Sequence, residues 1–197
     1  MLTGRVHKKF VYDRRMDLLS SYFANIIKPG SKILDVGCGD GKIDSMIMEK
    51  ADVNIEGIDI LVRGETYVPV KKFDGRVIPY SDNSFDTVII IDVLHHTDDP
   101  KELLGEIKRV AKRNIIIKDH TANGFMARSI LQFMDYVGNA HYGVRLPYNY
   151  MREKEWEKIF QELSLNAGKW EKILHLYPMP WGLIFDRKLH FIVDLQK

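Results

Sequence analysis

Cysteine is nearly absent from this chain of 197 residues, in which Cys38 is the single example. One thiol excludes a disulfide framework and a cysteine-built zinc site, and it is typical of a reducing compartment. Apolar residues never run for the roughly 18 positions that a membrane helix requires, and no apolar segment follows the charged amino terminus. We therefore expect a cytoplasmic protein with no membrane association.

An excess of charge of one sign is also missing, since 29 Lys and Arg stand against 27 Asp and Glu for a net charge of +2. This balance provides no argument for a nucleic-acid partner. Internal repeats and low-complexity linkers are absent too, so nothing divides the sequence. A chain of this length can bury a substantial core, and we predict one domain over residues 1–197.

Short branched apolar runs alternate with longer amphipathic ones, a pattern typical of helices that cross between parallel strands. This alternation predicts a doubly wound α/β domain. The predicted strands are 32–36, 53–60, 70–74, 87–93, 114–119, 170–177 and 188–195. The predicted helices are 13–27, 41–50, 100–112, 125–137 and 152–163. In the fourth helix we expect the apolar residues near one face to pack in the core; they are Phe125, Ile130, Phe133, Met134 and Val137.

Glycines concentrate directly after the first predicted strand, in the stretch ILDVGCGDG at 33–41. Bare backbone at a strand-to-helix turn lets a ligand approach the outward-pointing N–H groups of the helix. The dinucleotide-binding fingerprint is Gly-x-Gly-x-x-Gly, whereas this chain has Gly37, Gly39 and Gly41 behind Asp35. A carboxylate there would repel a pyrophosphate and attract an ammonium group. We therefore expect a ligand with an amino group and no diphosphate.

Two further acids follow later predicted strands. Asp59 ends the second strand, where a carboxylate in such folds accepts hydrogen bonds from ribose hydroxyls. Asp74 and Gly75 follow the third strand, where the acid is placed to accept from an exocyclic amine such as that of adenine. Together these residues outline a nucleoside that carries an amino-acid tail.

Four segments in order resemble one family, the class I S-adenosylmethionine-dependent methyltransferases, and especially its small-molecule branch. ILDVGCGDG is similar to the first motif, GIDI at 57–60 to the acidic second, and FDG at 73–75 to the third. IPYSDNSFDTVIIIDVLHHTDDP at 78–100 is similar to the segment around the fourth strand. The resemblance covers 33–119 most closely and the remainder by topology.

This resemblance implies a Rossmann-like sheet with strand order 3-2-1-4-5-7-6 and an antiparallel last strand. Residues 1–30 would form an amino-terminal lid or helix, 31–119 a cofactor-binding half and 120–197 an acceptor-side half. The cofactor would be S-adenosylmethionine and the product S-adenosylhomocysteine. Its expected contacts are Asp35, Gly37, Cys38 and Gly39 at the methionine end, Asp59 and Ile60 at the ribose, Asp74 and Gly75 at the adenine, and Asp92, Val93 and Leu94 beside the sulfonium.

Histidines are the candidate catalytic groups, because their ordinary pKa allows proton transfer near neutral pH. The candidates are His95, His96, His120 and His141. A hydroxyl acceptor would need such a base, whereas alignment alone would serve an amine or an activated carbon. His95 and His96 are alternatively a wall over the cofactor. We expect no metal at this pair, since adjacent residues cannot easily share one ion.

Acceptor specificity is expected after the fifth strand, because loops at the carboxyl ends of parallel strands form the crevice of such sheets. The segment 139–150 mixes aromatic and polar groups that suit a small organic ligand. Its candidate acceptor contacts are Asn139, Tyr148 and Tyr150, and Tyr12 could join them from the amino-terminal segment. The stretch YPMPW at 177–181 should end the sixth strand at the same edge, as a pocket wall or a bend.

Several alternatives remain open at this stage. An RNA or ribosomal methyltransferase would use the basic residues of 5–15 on phosphate. A non-catalytic S-adenosylmethionine-binding protein would keep the acids and lack an acceptor pocket. A nicotinamide oxidoreductase is opposed by the glycine spacing and Asp35. The preferred prediction is a methyltransferase with a small-molecule acceptor, and the sequence leaves its oligomeric state open.

Overall fold

A computed structural model describes residues 2–139 and 147–197, with side chains from residue 11 onward and without that of Asn139. The candidate base His141 lies outside the described residues. No described helix is long and apolar enough to cross a lipid bilayer.

The strands and helices alternate through the first two thirds of the chain. The strands are β1 Lys32–Val36, β2 Asn54–Asp59, β3 Val70–Lys72, β4 Phe85–Ile91, β5 Ala111–His120, β6 Asn166–Glu171 and β7 His190–Gln196. The helices are α1 Leu2–Ile26, α2 Lys42–Lys50, α3 Pro100–Val110, α4 Ala127–Asn139, α5 Glu153–Glu162 and α6 Gly182–Phe185. A single 3₁₀ turn, Leu94–His96, follows β4.

The seven strands form one sheet of order β3-β2-β1-β4-β5-β7-β6, which confirms the predicted topology. Pairing is parallel from β3 to β5, and β7 runs antiparallel to both β5 and β6. The chain reverses its direction of progression between β1 and β4. Open α/β sheets bind ligands at the carboxyl ends of the strands beside such a switch point.

Both faces of the central strands are buried, as expected for parallel strands covered by helices on each side. In β1, Leu34 packs into a cluster with Val88 and Trp156, while Ile33 packs on the other face against Phe23 of α1. The two clusters hold the carboxyl ends of β1 and β4 side by side.

The predicted sixth strand, 170–177, is wrong in position, because β6 ends at Glu171. The stretch 173–176 alternates exposed and buried side chains as a strand would, with Leu174 and Leu176 buried. Its backbone pairs differently, since the amides of Leu176 and Tyr177 donate to the Asp186 carboxylate at 3.1 and 3.3 Å. YPMPW therefore lies in the connection to α6 and does not end a strand.

The predicted core face of the fourth helix is wrong for three of its five residues, whereas Ile130 packs against a buried cluster as predicted. Phe125 is 81% exposed, Phe133 58% and Val137 50%. The helix instead buries Leu131 and Asp135, which lie against Tyr150. The sequence correctly predicted a helix in this region. Which face of the helix turns inward depends on Asp135, whose carboxylate accepts a hydrogen bond from the buried Tyr150 hydroxyl.

Candidate active site

The glycine-rich turn after β1 packs directly against the loop after β4. Gly37 has a φ of +80°, and a Cβ on it would lie 2.5 Å from Cγ2 of Val93. Gly41 has a φ of +75°, and its Cβ would lie 2.4 Å from Cγ2 of Val68. The left-handed backbone and the close neighbours both require glycine at these positions. The turn is thus a bare-backbone cradle at the switch point of the sheet.

Cys38 lies inside this turn and serves packing. Its side chain covers Gly57, where an added Cβ would lie 2.2 Å from the sulfur. Burial raises the pKa of the Cys38 thiol, and nearby carboxylates raise it further. A neutral, buried thiol is a poor nucleophile, so its place among the expected cofactor contacts rests on its backbone.

Asp59 connects the end of β2 to the glycine turn. One carboxylate oxygen accepts the amide of Gly39 at 2.8 Å, and the other accepts the amide of Leu61 at 2.8 Å. The residue stays partly exposed, and each oxygen retains a second lone pair. Asp59 therefore shapes the cradle and still presents acceptors for a pair of hydroxyls.

The end of β3 lies beside the end of β2 at the same edge of the sheet. Ile60 is 59% exposed, and a Cβ on Gly75 would lie 3.2 Å from its Cγ2. Asp74 is exposed, and its carboxylate accepts the amides of Arg76 and Val77 at 2.8 Å each. These backbone hydrogen bonds lower the pKa of Asp74, which keeps it an acceptor at neutral pH. The edge combines an apolar face with an anionic acceptor.

Asp35 lies beneath the glycine turn, with 1% exposure, beside the fully buried Asp44 of α2. Three of the four carboxylate oxygens, Asp35 Oδ1 and both of Asp44, have no donor among the described residues. Burial, and then the Asp44 carboxylate, raise the pKa of Asp35 well above its ordinary value. Burial also raises the pKa of Asp44 to about 7. The pair forms an acidic floor under the cradle, and Asp44 was not anticipated from the sequence.

Asp92 follows β4 and is held between two cations. Its carboxylate pairs with Arg15 of α1 and with Lys118 of β5, whose side chain is wholly buried. Burial alone would raise the pKa of Asp92, but Lys118 and Arg15 outweigh it and hold that pKa below its usual range. α1 is thereby attached to the crevice. The Leu94 side chain is wholly buried, so only its backbone borders this edge.

His95 lies between two carboxylates from different elements. Its Nδ1 is 2.7 Å from Oδ1 of Asp119 on β5, and its Nε2 is 3.8 Å from Oδ2 of Asp135 on α4. Burial would lower the pKa of His95, but Asp119 and Asp135 outweigh burial and raise it to about 10. A pKa in this range favours the protonated ring at neutral pH, which disfavours His95 as a general base.

The other described histidines of this centre favour the neutral form. Burial lowers the pKa of His96, and the charged His95 lowers it further. Burial and Lys118 lower the pKa of His120 and of His190 well below the ordinary value. His96 retains a side-chain exposure of 14%, against 10% for His120. The His96 side chain is therefore more exposed than that of His120.

The segment after the undescribed residues closes over the histidines. Tyr150, predicted as an acceptor contact, is 2% exposed and donates its hydroxyl to Asp135 Oδ2 at 2.8 Å. Its ring stacks on His95 with centroids 5.4 Å apart. Asn149 donates its amide to the His95 carbonyl at 3.2 Å. Tyr148 is partly exposed, and Tyr12 is 42% exposed on α1 beneath the ammonium of Lys42.

Several residues of this centre were not singled out from the sequence. They are Arg15, Asp44, Lys118 and His190. The lysine in the apolar run NIIIKD was one available signal, because a charge inside a doubly covered strand requires a partner.

The residues at the carboxyl-terminal ends of β1, β2 and β3 fit S-adenosylmethionine. Bare backbone at Gly37 and Gly39 suits the amino-acid tail, and the carboxyl oxygens of Asp35 and Asp44 that lack donors among the described residues suit its ammonium as hydrogen-bond acceptors. Asp59 and Asp74 present acceptors in the order of the ribose and the adenine. A cavity of about 610 Å³ beside Lys32, Tyr80 and Arg109 lies at the opposite, amino-terminal edge of the strands and takes no part in this arrangement.

Known proteins agree with this interpretation. Residues 7–167 match the family model described as a methyltransferase domain. Phosphoethanolamine N-methyltransferase 1 of Arabidopsis thaliana is 36% identical over 88 residues, 39% of this chain and 18% of that protein. Ubiquinone biosynthesis O-methyltransferase of Hahella chejuensis is 28% identical over 155 residues, 71% of this chain and 60% of that protein. The first matched relatives are thus covered over less than a third of their own length.

Solved structures share the fold. A methyltransferase of Haloferax volcanii, in complex with the activator Trm112, superposes with a TM-score of 0.69 at 15% identity, over 98% of this chain and 93% of that one. A SAM-dependent methyltransferase of Aquifex aeolicus has a TM-score of 0.62 at 21% identity, over 98% and 97%. With its motifs, its sheet order and the family match over most of its length, this chain belongs to the S-adenosylmethionine-dependent methyltransferases.

Proposed function

We propose that this protein transfers a methyl group from S-adenosylmethionine to a small organic acceptor. The observation that carries the proposal is the adjacency of two unlike regions at one sheet edge. The glycine cradle and Asp59 lie at the ends of β1 and β2, and a centre of histidines and carboxylates lies at the ends of β4 and β5. Val93, packed against Gly37, joins the two regions.

The bound cofactor would supply an electrophilic methyl group on its sulfonium. The chain would hold the methionine end at the backbone of Gly37 and Gly39, the ribose at Asp59 and the adenine between Ile60, Asp74 and Gly75. Since the methyl group is already activated, the remaining requirement is to align the acceptor in line with it and to exclude water. The Asp92 loop, fixed by Arg15 and Lys118, suits this positioning role.

On the acceptor side we assign contact to His96 and Tyr148, which keep open surface toward the crevice. His95 and Tyr150 are buried and hydrogen-bonded, so we assign them the positioning of their neighbours. Two similar proteins are named for phosphoethanolamine and for ubiquinone biosynthesis, which supports a small acceptor. Whether the acceptor atom is oxygen, nitrogen or carbon follows from the experiment below.

The test is a screen of hydroxyl- and amine-bearing metabolites for conversion of S-adenosylmethionine to S-adenosylhomocysteine. We expect turnover with at least one small acceptor. RNA transcripts form the second arm, at low and high salt. Turnover on RNA alone, with the steep salt dependence of phosphate contacts, would contradict the proposal.

Tyr148→Ala provides a residue-level test once an acceptor is known. The substitution removes a ring of the proposed acceptor wall, so we expect kcat/KM for the acceptor to fall by about tenfold or more. S-adenosylhomocysteine affinity should stay within a few-fold, because the cradle lies on other strands. Tyr136→Ala, at a tyrosine 62% exposed on α4, is the matched control. Unchanged acceptor kinetics in Tyr148→Ala would remove this residue from the pocket.

A further inference from the structure

Two adjacent histidine rings face one carboxylate at the acceptor side of the crevice. In a strand, neighbouring side chains point to opposite faces, but the 3₁₀ turn Leu94–His96 brings both rings together, with centroids 4.0 Å apart. His95 Nε2 lies 3.8 Å from Asp135 Oδ2, and His96 Nε2 lies 3.5 Å from Asp135 Oδ1. The turn thus removes the objection that adjacent residues cannot share an ion.

The separations between these atoms suit ligands of one metal ion. At zinc, bonds near 2.0–2.1 Å in tetrahedral geometry place nitrogen and oxygen ligands about 3.3 Å apart. One ligand atom from each of the three side chains lies within 4.8 Å of the other two, so a bound ion would have to draw these atoms closer together. By contrast, Asp119 Oδ1 lies 2.7 Å from His95 Nδ1, which is a hydrogen-bond distance. Asp119 is therefore a partner of the ring rather than a ligand.

Hydrogen bonds already orient two of the three side chains, those of His95 and Asp135. Asp119 accepts from Nδ1 of His95, which leaves Nε2 directed toward Asp135. Tyr150 donates to Oδ2 of Asp135 at 2.8 Å, and Oδ1 of the same carboxylate lies 3.5 Å from Nε2 of His96. Metal-binding histidines usually make such a hydrogen bond to a carboxylate through their other nitrogen, and ligating carboxylates are hydrogen-bonded in turn.

The composition and burial of the cluster indicate the kind of ion. Side-chain exposures are 3% for His95, 14% for His96 and 5% for Asp135, so the group is enclosed except near His96. Two imidazoles and one carboxylate favour a zinc-like divalent ion over Mg²⁺, which prefers oxygen ligands and retained water. Three protein ligands with one open side are typical of zinc sites that bind a substrate.

We propose that His95 Nε2, His96 Nε2 and the Asp135 carboxylate bind one divalent transition-metal ion, with Asp119 and Tyr150 as orienting partners. The ion would take the place of the proton that Nε2 of His95 carries in the metal-free chain, and that proton would pass to solvent. The fourth position opens on the His96 side of the crevice. An oxygen or nitrogen of the acceptor is the ligand we assign there, and this last assignment rests on the proposed function. The ion would position that atom toward the methyl group.

The experiment uses the full chain after chelator treatment and dialysis. Calorimetry with Zn²⁺, Co²⁺ and Mg²⁺ should give one Zn²⁺ or Co²⁺ per chain and no Mg²⁺ binding. Bound Co²⁺ should show visible absorption of a four-coordinate site, which added Zn²⁺ abolishes. His96→Ala and Asp135→Asn should each weaken Co²⁺ binding by about a hundredfold or more, since removing a ligand exceeds the loss on removing an orienting partner.

His175→Asn is the matched control, because His175 is exposed on another loop, and it should bind Co²⁺ like the parent chain. Circular dichroism checks that each variant is folded. If Asp135→Asn does not fold, His96→Ala still tests the proposal, because His96 is partly exposed and its substitution disturbs the core less. Failure of the parent chain to bind Zn²⁺ or Co²⁺, or unchanged affinity in His96→Ala, would overturn the proposal. If the chain binds metal but transfers no methyl group, the proposed function is contradicted and the metal site is not, because Co²⁺ absorption is measured without turnover.

Discussion

Asp59 shows how one carboxylate can shape a site and serve it at the same time. Its two oxygens accept the amides of Gly39 and Leu61, so it holds the glycine turn against the end of β2. The same oxygens are the acceptors that we propose for the ribose of the cofactor. Residues with both roles are expected where a loop must present bare backbone to a ligand.

Asp59→Ala should cost about 2–4 kcal/mol of S-adenosylhomocysteine affinity, because the ribose hydroxyls lose a charged acceptor. Isothermal titration calorimetry measures the loss. Asp52→Ala is the matched control, since Asp52 is exposed near the opposite end of the same strand. An Asp59→Ala protein that is folded and binds with parent affinity would show that the carboxylate has no part in cofactor binding.

The buried Asp44 makes a separate prediction about stability. Burial raises its pKa to about 7 from the ordinary 3.8, so the folded chain retains a proton that the unfolded chain releases. Protons held in the folded state make stability fall as pH rises between the two pKa values, here from about pH 4 to about pH 7. The carboxyl pair therefore destabilises the fold most at pH values above that window.

Asp44→Asn removes this titration and supplies an amide donor for Asp35. We expect the variant to gain about 1 kcal/mol or more over the parent chain at pH 8, or about 2–4 °C in Tm, and less at pH 5. Thermal denaturation followed by circular dichroism at the two pH values tests this. Asp52→Asn should show no such pH-dependent difference, and an equal gain at pH 5 and pH 8 would contradict the proposed cause.

At the scale of elements, the contact between the β1 turn and the β4 loop determines whether the cradle forms. Gly37 and Val93 approach so closely that no side chain fits between them. The two elements are far apart in sequence, and each is held by its own strand. Substitution of the glycine therefore tests the packing of the switch point itself.

Gly37→Ala should destabilise the fold by about 1–3 kcal/mol, because the new methyl group meets Val93 and the backbone is left-handed. Urea denaturation measures this loss. Gly30→Ala separates the two causes, since Gly30 has a φ of +75° with nothing within 4 Å of an added Cβ. Val93→Ala in the Gly37→Ala background should restore part of the stability. Equal losses in the two single variants would mean that the Val93 contact is unimportant.

At the scale of the whole molecule, cofactor binding should connect elements that are distant in sequence. The proposed contacts come from the ends of β1, β2 and β3 and from the loop after β4. α1 is attached to that loop through Arg15 and Asp92. A ligand that binds only when all these elements are in place stabilises the complete fold by mass action.

S-adenosylhomocysteine at a hundred times its Kd should stabilise the chain by about 2.7 kcal/mol, or about 5–10 °C in Tm. Differential scanning fluorimetry gives the shift. NAD at the same concentration is the control and should leave Tm unchanged, because the glycine spacing and the acidic floor oppose a pyrophosphate. A shift with NAD and none with S-adenosylhomocysteine would contradict the assignment of the cradle.

Much of this molecule follows from local sequence. The approximate positions of β1 to β5 follow from short apolar runs, and the cradle follows from Gly37, Gly39 and Gly41 behind a strand. The order of the strands was implied by the resemblance to the methyltransferase family. Asp59 and Asp74 were predicted as acceptors because each stands within two residues of a strand end, and their contacts with the cofactor stay a prediction. These features depend on backbone conformation and on residues close in the chain, which is the information that periodicity and spacing carry.

Tertiary structure decided the rest. His95, Asp119, Asp135 and Tyr150 belong to four different segments, and no spacing indicates that they meet in one buried centre. That meeting raises the pKa of His95 and so disfavours it as a base, although the isolated residue suggests one. The inward face of α4 and the end of β6 likewise depended on partners elsewhere, Tyr150 and Asp186. Burial and charge pairing depend on distances in space, and distances between segments remote in sequence arise only when the chain has folded.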